Sequence, residues 1–203
     1  MAEIWKFNVG GTVYDFQDKV SQYGNKNLLK KIDGMIFTSD DWSSWYTPAA
    51  NTPNSCLGES GGFYFPKDTQ IGDIFTFSCE IEWTKFTVGT GGTYSAPWLQ
   101  FFPNYSWSTG IPQPFDYHNI NRVSTAESTS GAGTKKLIVH ATITTAEQIT
   151  ANWYSNFRTD YSDGTGKFRI RRYKLEKGTK STDWSPAPQD LVTVSNEQLN
   201  FFG

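Results

Sequence analysis

Three segments of this chain alternate apolar and polar side chains with a period of two, and that pattern belongs to strands with one buried face. In Ile74–Trp83, one face carries Phe75, Phe77, Cys79, Ile81 and Trp83; the other carries Thr76, Ser78, Glu80 and Glu82. In Lys136–Thr144, Leu137, Val139, Ala141 and Ile143 oppose Ile138, His140 and Thr142. In Ile149–Arg158, Ile149, Ala151, Trp153 and Phe157 oppose Asn152, Tyr154, Asn156 and Arg158. Gly166–Lys177 obeys the rule until its parity breaks. Phe168 and Ile170 are even, whereas Tyr173 and Leu175 are odd. One extra residue in the strand, a β-bulge near Arg171-Arg172, accounts for the break.

Further short strand candidates lie at 35–38, 62–65 and 98–102, separated by Gly, Pro, Ser and Asn clusters. Many short strands with such spacing predict an all-β fold, an antiparallel β-sandwich of the jelly-roll kind. At the start, Ile4–Val9 and Thr12–Phe16 flank Gly10-Gly11, which predicts a short N-terminal β-hairpin extension. Residues 17–27 read as a polar linker. Helix signals are few: Thr145–Gln148 suits one turn, and Lys30–Asp33 is ambiguous. Ser124–Thr134 reads as a flexible polar loop.

Composition narrows the function classes. The charge is balanced, with 18 Lys+Arg against 20 Asp+Glu, so nothing attracts a nucleic acid electrostatically. No apolar run approaches the ~18 residues of a membrane-spanning helix. The opening MAEIWKFNVGG lacks the pattern of a signal peptide, so synthesis in the cytoplasm is expected. Cys56 and Cys79 are the two cysteines, read as buried, reduced thiols. Aromatic residues are abundant, at 16% of the chain. They gather in loops around Trp42, Trp45, Trp98, Trp107 and Phe115–His118.

The polar strand faces hold the candidate binding groups. If the strands are neighbours, Glu80, Glu82, His140, Asn152, Tyr154, Asn156, Arg158 and Arg169, with Arg171 at the bulge, form one polar sheet face. Such a face suits a saccharide, whose hydroxyls need planar donors and acceptors and whose C–H faces stack on rings. Trp98, Trp107 and Tyr154 are the expected stacking residues. Glu80 and Glu82 also raise a jelly-roll glycoside hydrolase, since paired carboxylates do that chemistry. The stretch continues Trp83-Thr84-Lys85, however, without a third acid. His118 and His140 lack a Gly-x-Ser-x-Gly elbow for nucleophilic catalysis. No cofactor is expected, although a structural Ca²⁺ near Asp33, Asp40, Asp41, Asp183 or Asp190 is possible.

The segment Tyr173–Asp190, with Lys174-Leu-Glu-Lys-Gly178 and Trp184-Ser-Pro-Ala-Pro-Gln-Asp190, carries a resemblance. It resembles the C-terminal signature of jelly-roll carbohydrate-binding modules in tail and baseplate proteins of phages of Gram-positive bacteria. Asn27-Leu-Leu29 and Asp40-Asp-Trp-Ser-Ser-Trp45 are similar to that family's entry strand and first Trp loop. The resemblance implies a module over 25–190, preceded by a hairpin and linker over 1–24 for virion attachment and followed by a tail over 191–203. It implies a non-enzymatic accessory protein of the virion that adheres to host cell-wall polysaccharide beside other tail or baseplate proteins. A purely structural virion protein, a decoration or connector piece without sugar binding, is the alternative.

Overall fold

The computed structural model describes residues 6–9, 12–15, 26–29, 37–53, 55–58, 61–88, 97–104, 109–116 and 122–187. Strands β1 (Lys6–Val9) and β2 (Thr12–Asp15) pair antiparallel, with Val9 opposite Thr12 across the two glycines. The main body is a sandwich of two antiparallel sheets. One has the order β3-β8-β5, formed by Ser55–Gly58, Trp153–Thr159 and Trp98–Pro103. The other has the order β6-β7-β4-β9, formed by Phe115–Asp116, Gly133–Thr142, Ile74–Trp83 and Phe168–Lys177. This is the architecture that the period-two segments predict.

The core lies between the sheets, and it is aromatic. Phe75, Phe77, Phe101, Trp153, Phe157 and Tyr173 are fully enclosed. Phe101 stacks on Phe115 at 3.8 Å, and Phe77 meets Phe101 and Tyr173 edge-to-face at 4.9 Å. Offset and edge-on contacts of this kind exceed simple area burial in value. The inward residues are those expected from the alternation.

The bulge falls where parity required it. Opposite β4, the register jumps between Ser78 and Glu80, so that Lys174 and Arg171 face them in turn. Arg172 takes a left-handed φ of 61°. The extra residue turns Tyr173 and Leu175 back into the core while leaving the arginines outside.

Several expectations need correction. Ser124–Thr134 is no loop: Thr125–Ser130 is helix α1, and β7 already begins at Gly133. Ser124 caps the helix by accepting from the Glu127 amide, and the Glu127 carboxylate accepts from the Ser124 amide. That Ser-x-x-Glu pair is a capping box. The segment 149–158 is not strand throughout, because Ala146–Thr150 is helix α2 and β8 starts at Trp153. The single helical turn expected at Thr145–Gln148 is part of α2. Phe37 and Thr38 lie in a turn, and within 62–65 only Phe63 pairs, with Trp153. Cys56 is half-buried rather than buried, while Cys79 is enclosed, and neither forms a disulfide. Residues 17–25 of the linker, Lys30–Asp33 and the tail lie outside the described residues, while Asn27, expected in the polar linker, is instead buried.

Two segments dress the free edge of β9. Residues 37–46 run along it, with the Ser43 amide donating to Ile170 and Tyr46 bridging Phe168. Asn27, buried, fastens the chain where it enters the sandwich. Its amide donates to the Tyr173 and Ser185 carbonyls, both at 3.1 Å, and its oxygen accepts from the Leu29 and Leu175 amides. Entry segment, final strand and exit segment thus meet at one side chain.

Candidate functional site

The structure divides the expected polar face in two. Glu80, Glu82, His140 and Arg169 project from the four-stranded sheet. Tyr154 and Arg158 project from β8 in the other sheet, on the opposite side of the sandwich, and Asn152 immediately precedes that strand. The single-face expectation is therefore corrected: strand alternation gives the face of a residue within a strand, but not which sheet the strand joins.

On the four-stranded sheet, cross-strand register sets rows of polar groups. Thr134, Glu82 and Arg169 lie in one row; Lys136, Glu80 and Arg171 lie in the next. Arg169 pairs with Glu82. Glu80 takes hydrogen bonds from Arg171 and, through the bulge, from Arg172, each at 2.8 Å. Arg172 also pairs with Asp40. Burial works to raise the Glu80 pKa, but the Arg172 and Arg171 hydrogen bonds hold it below the ordinary carboxylate value. The Arg172 hydrogen bond likewise lowers Asp40.

The segment along the β9 edge brings two indoles over these arginines. The Arg171 guanidinium lies 4.2 Å from the Trp42 ring centre. Arg169 lies 5.0 Å from Trp42 and 4.5 Å from Trp45. Trp45 is 40% exposed, one of four large apolar residues that stand out among the described residues. Trp42, Trp45 and Arg172 lie outside the polar face expected from the sequence, whereas Arg171 belongs to it. The Asp-Asp-Trp-Ser-Ser-Trp run marked the loop, but its partner strand is far along the chain, 127 residues separating Ser43 from Ile170, and no local signal joins them.

The other half of this face is roofed. Lys174 and Glu176 pair at 3.1 Å, each side chain 1% exposed. Thr182 and the Asp183 carbonyl accept from Lys174, and Thr182 also bonds Glu176. His140 sits at the margin. Thr76 donates to the Gly178 carbonyl, so its oxygen accepts the proton of His140 Nδ1 at 3.1 Å. Trp184, next in the same segment, is half-buried.

On the three-stranded sheet, Arg158 is held by a two-point bond to Asp160 at 3.0 and 2.7 Å. Asn152 donates to the Tyr154 hydroxyl at 2.9 Å, and the Tyr154 ring stacks on Phe102. Trp98 shares this face by register but is 5% exposed, so its indole is packing and offers no open ring, contrary to expectation. Trp107 lies outside the described residues, as do Asp33 and Asp190 of the calcium candidates. Among the described residues, no three His, Cys, Asp or Glu side chains stand together as a metal site. No described helix is long and apolar enough to cross a membrane.

No family model matches this chain, and no curated protein matches it. Among solved structures, it matches the tripod (BppUct-A-L) from the baseplate of bacteriophage Tuc2009. The TM-score is 0.51 at 17% identity, over 82% of this chain. The likeness is one of fold. This chain spans 60% of that one.

Proposed function

We propose that this chain is a non-enzymatic component of a phage tail or baseplate that adheres to host cell-wall polysaccharide. It works in the virion beside other tail or baseplate proteins. One observation carries the binding reading: the exposed Trp45 indole stands beside the Arg169–Glu82 pair. A pyranose laid on that ring presents its C–H face to the indole and its hydroxyls to a fixed guanidinium and carboxylate. The fold likeness to a baseplate protein and the Lys174–Asp190 signature support the setting.

Hydrolysis is disfavoured by the same geometry. A general acid needs a carboxyl whose pKa is raised, and Glu80 is held ionised by two arginines. Glu82 is tied to Arg169. A single-site sugar contact is weak, because hydroxyls exchange water for protein partners at small net gain. Many copies on one particle supply the adhesion.

The test is labelling of Gram-positive cells by a multivalent fluorescent fusion, before and after enzymatic stripping of wall polysaccharide. Stripping is expected to abolish labelling, and Trp45→Ala to weaken it roughly tenfold. Absence of labelling on intact cells would favour the structural virion role, which the fold likeness alone also fits.

A further inference from the structure

We propose a second, independent saccharide subsite on the outer face of the three-stranded sheet, built by Tyr64, Tyr154, Asn152 and Asn156. It rests on the reading above that the module binds wall polysaccharide, and it deepens that reading by making one sandwich two-faced.

The edge beside β8 carries glycine at two points close to the asparagines. Gly58 lies opposite Asn156, with Gly62 further along the same edge. At Gly62 a Cβ would sit 2.1 Å from Asn152 Oδ1, so the backbone runs hard against that amide. The asparagines and Tyr154 therefore face outward over a low wall. Tyr64, the residue after the Phe63–Trp153 pairing, is 56% exposed at that end of the edge. Tyr154 is braced at 6.0 Å by Phe102, nearly parallel at 19°. Two rings thus flank the row, one held and one open.

The polar groups specify the ligand's chemistry. Asn152 spends its donor on the Tyr154 hydroxyl. The Oδ1 atoms of Asn152 and Asn156 accept no hydrogen bond among the described residues. Buried acceptors in native proteins nearly always have partners. Rotation about its soft terminal torsion turns the Asn156 amide toward a ligand, and Asn152 reaches one by exchanging its bond to Tyr154 for a ligand hydroxyl. Arg158, the cation of this face, is neutralised by Asp160. Unmet acceptors beside a neutralised cation call for hydroxyl donors and give an anion no purchase. The ligand class is an uncharged polyol segment. Asn152 and Asn156, four residues apart, are separated by roughly 13 Å, a length that several linked sugar units span.

The two faces point away from each other, so each engages its own stretch of polymer. The experiment uses full-length protein on an immobilised wall polysaccharide fraction from Gram-positive cells. It compares wild type, Trp45→Ala, the pair Tyr64→Ala/Tyr154→Ala, and all three changes together, with melting curves confirming folding. Each single-face variant is expected to keep binding with roughly tenfold loss, and the triple variant to lose it. Tyr64→Phe/Tyr154→Phe, which keeps both rings, is expected to retain more binding than the alanine pair. Wild-type binding by the tyrosine pair variant overturns the second subsite. So does complete loss on Trp45→Ala alone, which leaves the proposed function standing. Failure of wild type to bind overturns both.

Discussion

At the scale of single residues, the most demanding contacts involve a missing side chain and a buried charge. A Cβ on Gly166 would lie 1.9 Å from Phe86 Cβ, close to its backbone and with no flexible end to swing away. Gly166→Ala is expected to cost about 1–3 kcal/mol in urea unfolding, the usual range for overpacking. Lys174 and Glu176 present the opposite case, since both are enclosed and satisfied by Thr182 and Asp183. Lys174→Met leaves the Glu176 carboxylate buried without its cation and is expected to cost about 3–5 kcal/mol. Replacing both with apolar residues of similar volume is expected to cost less, which the same measurement resolves. Burial raises the thiol pKa of both Cys56 and Cys79. Cys79 is therefore expected to react with a thiol reagent only on unfolding, and Cys56 slowly in the native protein.

At the scale of elements, sequence and structure agree where a pattern is local and part where it is not. The bulge was legible because it shifts the parity of Phe168, Ile170, Tyr173 and Leu175 within one strand. The inward faces of β4, β7 and β8 were legible for the same reason. Helix α1 also had a local signal, Ser124-Thr-Ala-Glu127, outweighed by the Ser, Thr and Gly content around it. Glu127 adds an ion pair to Lys135 of β7 at 3.0 Å, so the cap also pins the helix to the sheet. Ser124→Ala is expected to cost about 0.5–2 kcal/mol, read from the thermal or urea midpoint. Strand β3 and the two-residue β6 were not legible, being short and held by partners far away in sequence.

At the scale of the whole molecule, which strands share a sheet was beyond the sequence. The candidate site residues Glu80, Glu82 and Arg169 do converge, but Asn152, Tyr154 and Arg158 lie on the other side because β8 joins the other sheet. Acid stability is another whole-molecule property. Although desolvation opposes it, the Thr165 and Thr87 amides bring Asp163 down to about 2 from an ordinary 3.8. Glu80, Asp40 and Asp73 are lowered as well. A group depressed in the folded state stabilises above its unfolded pKa and loses that contribution as pH falls through its folded value. Melting temperature is therefore expected to drop between about pH 4 and pH 2. Asp163→Asn should flatten that drop, destabilising at pH 7 more than at pH 2.

The Asn27 clasp has a mechanical meaning. The segments that enter and leave the sandwich meet at one corner, where a single amide side chain grips Tyr173, Leu175 and Ser185. Tension between those two segments is taken up by that clasp and the neighbouring Leu28–Leu175 hydrogen bond. The load path closes at the corner, through one amide and the end of β9.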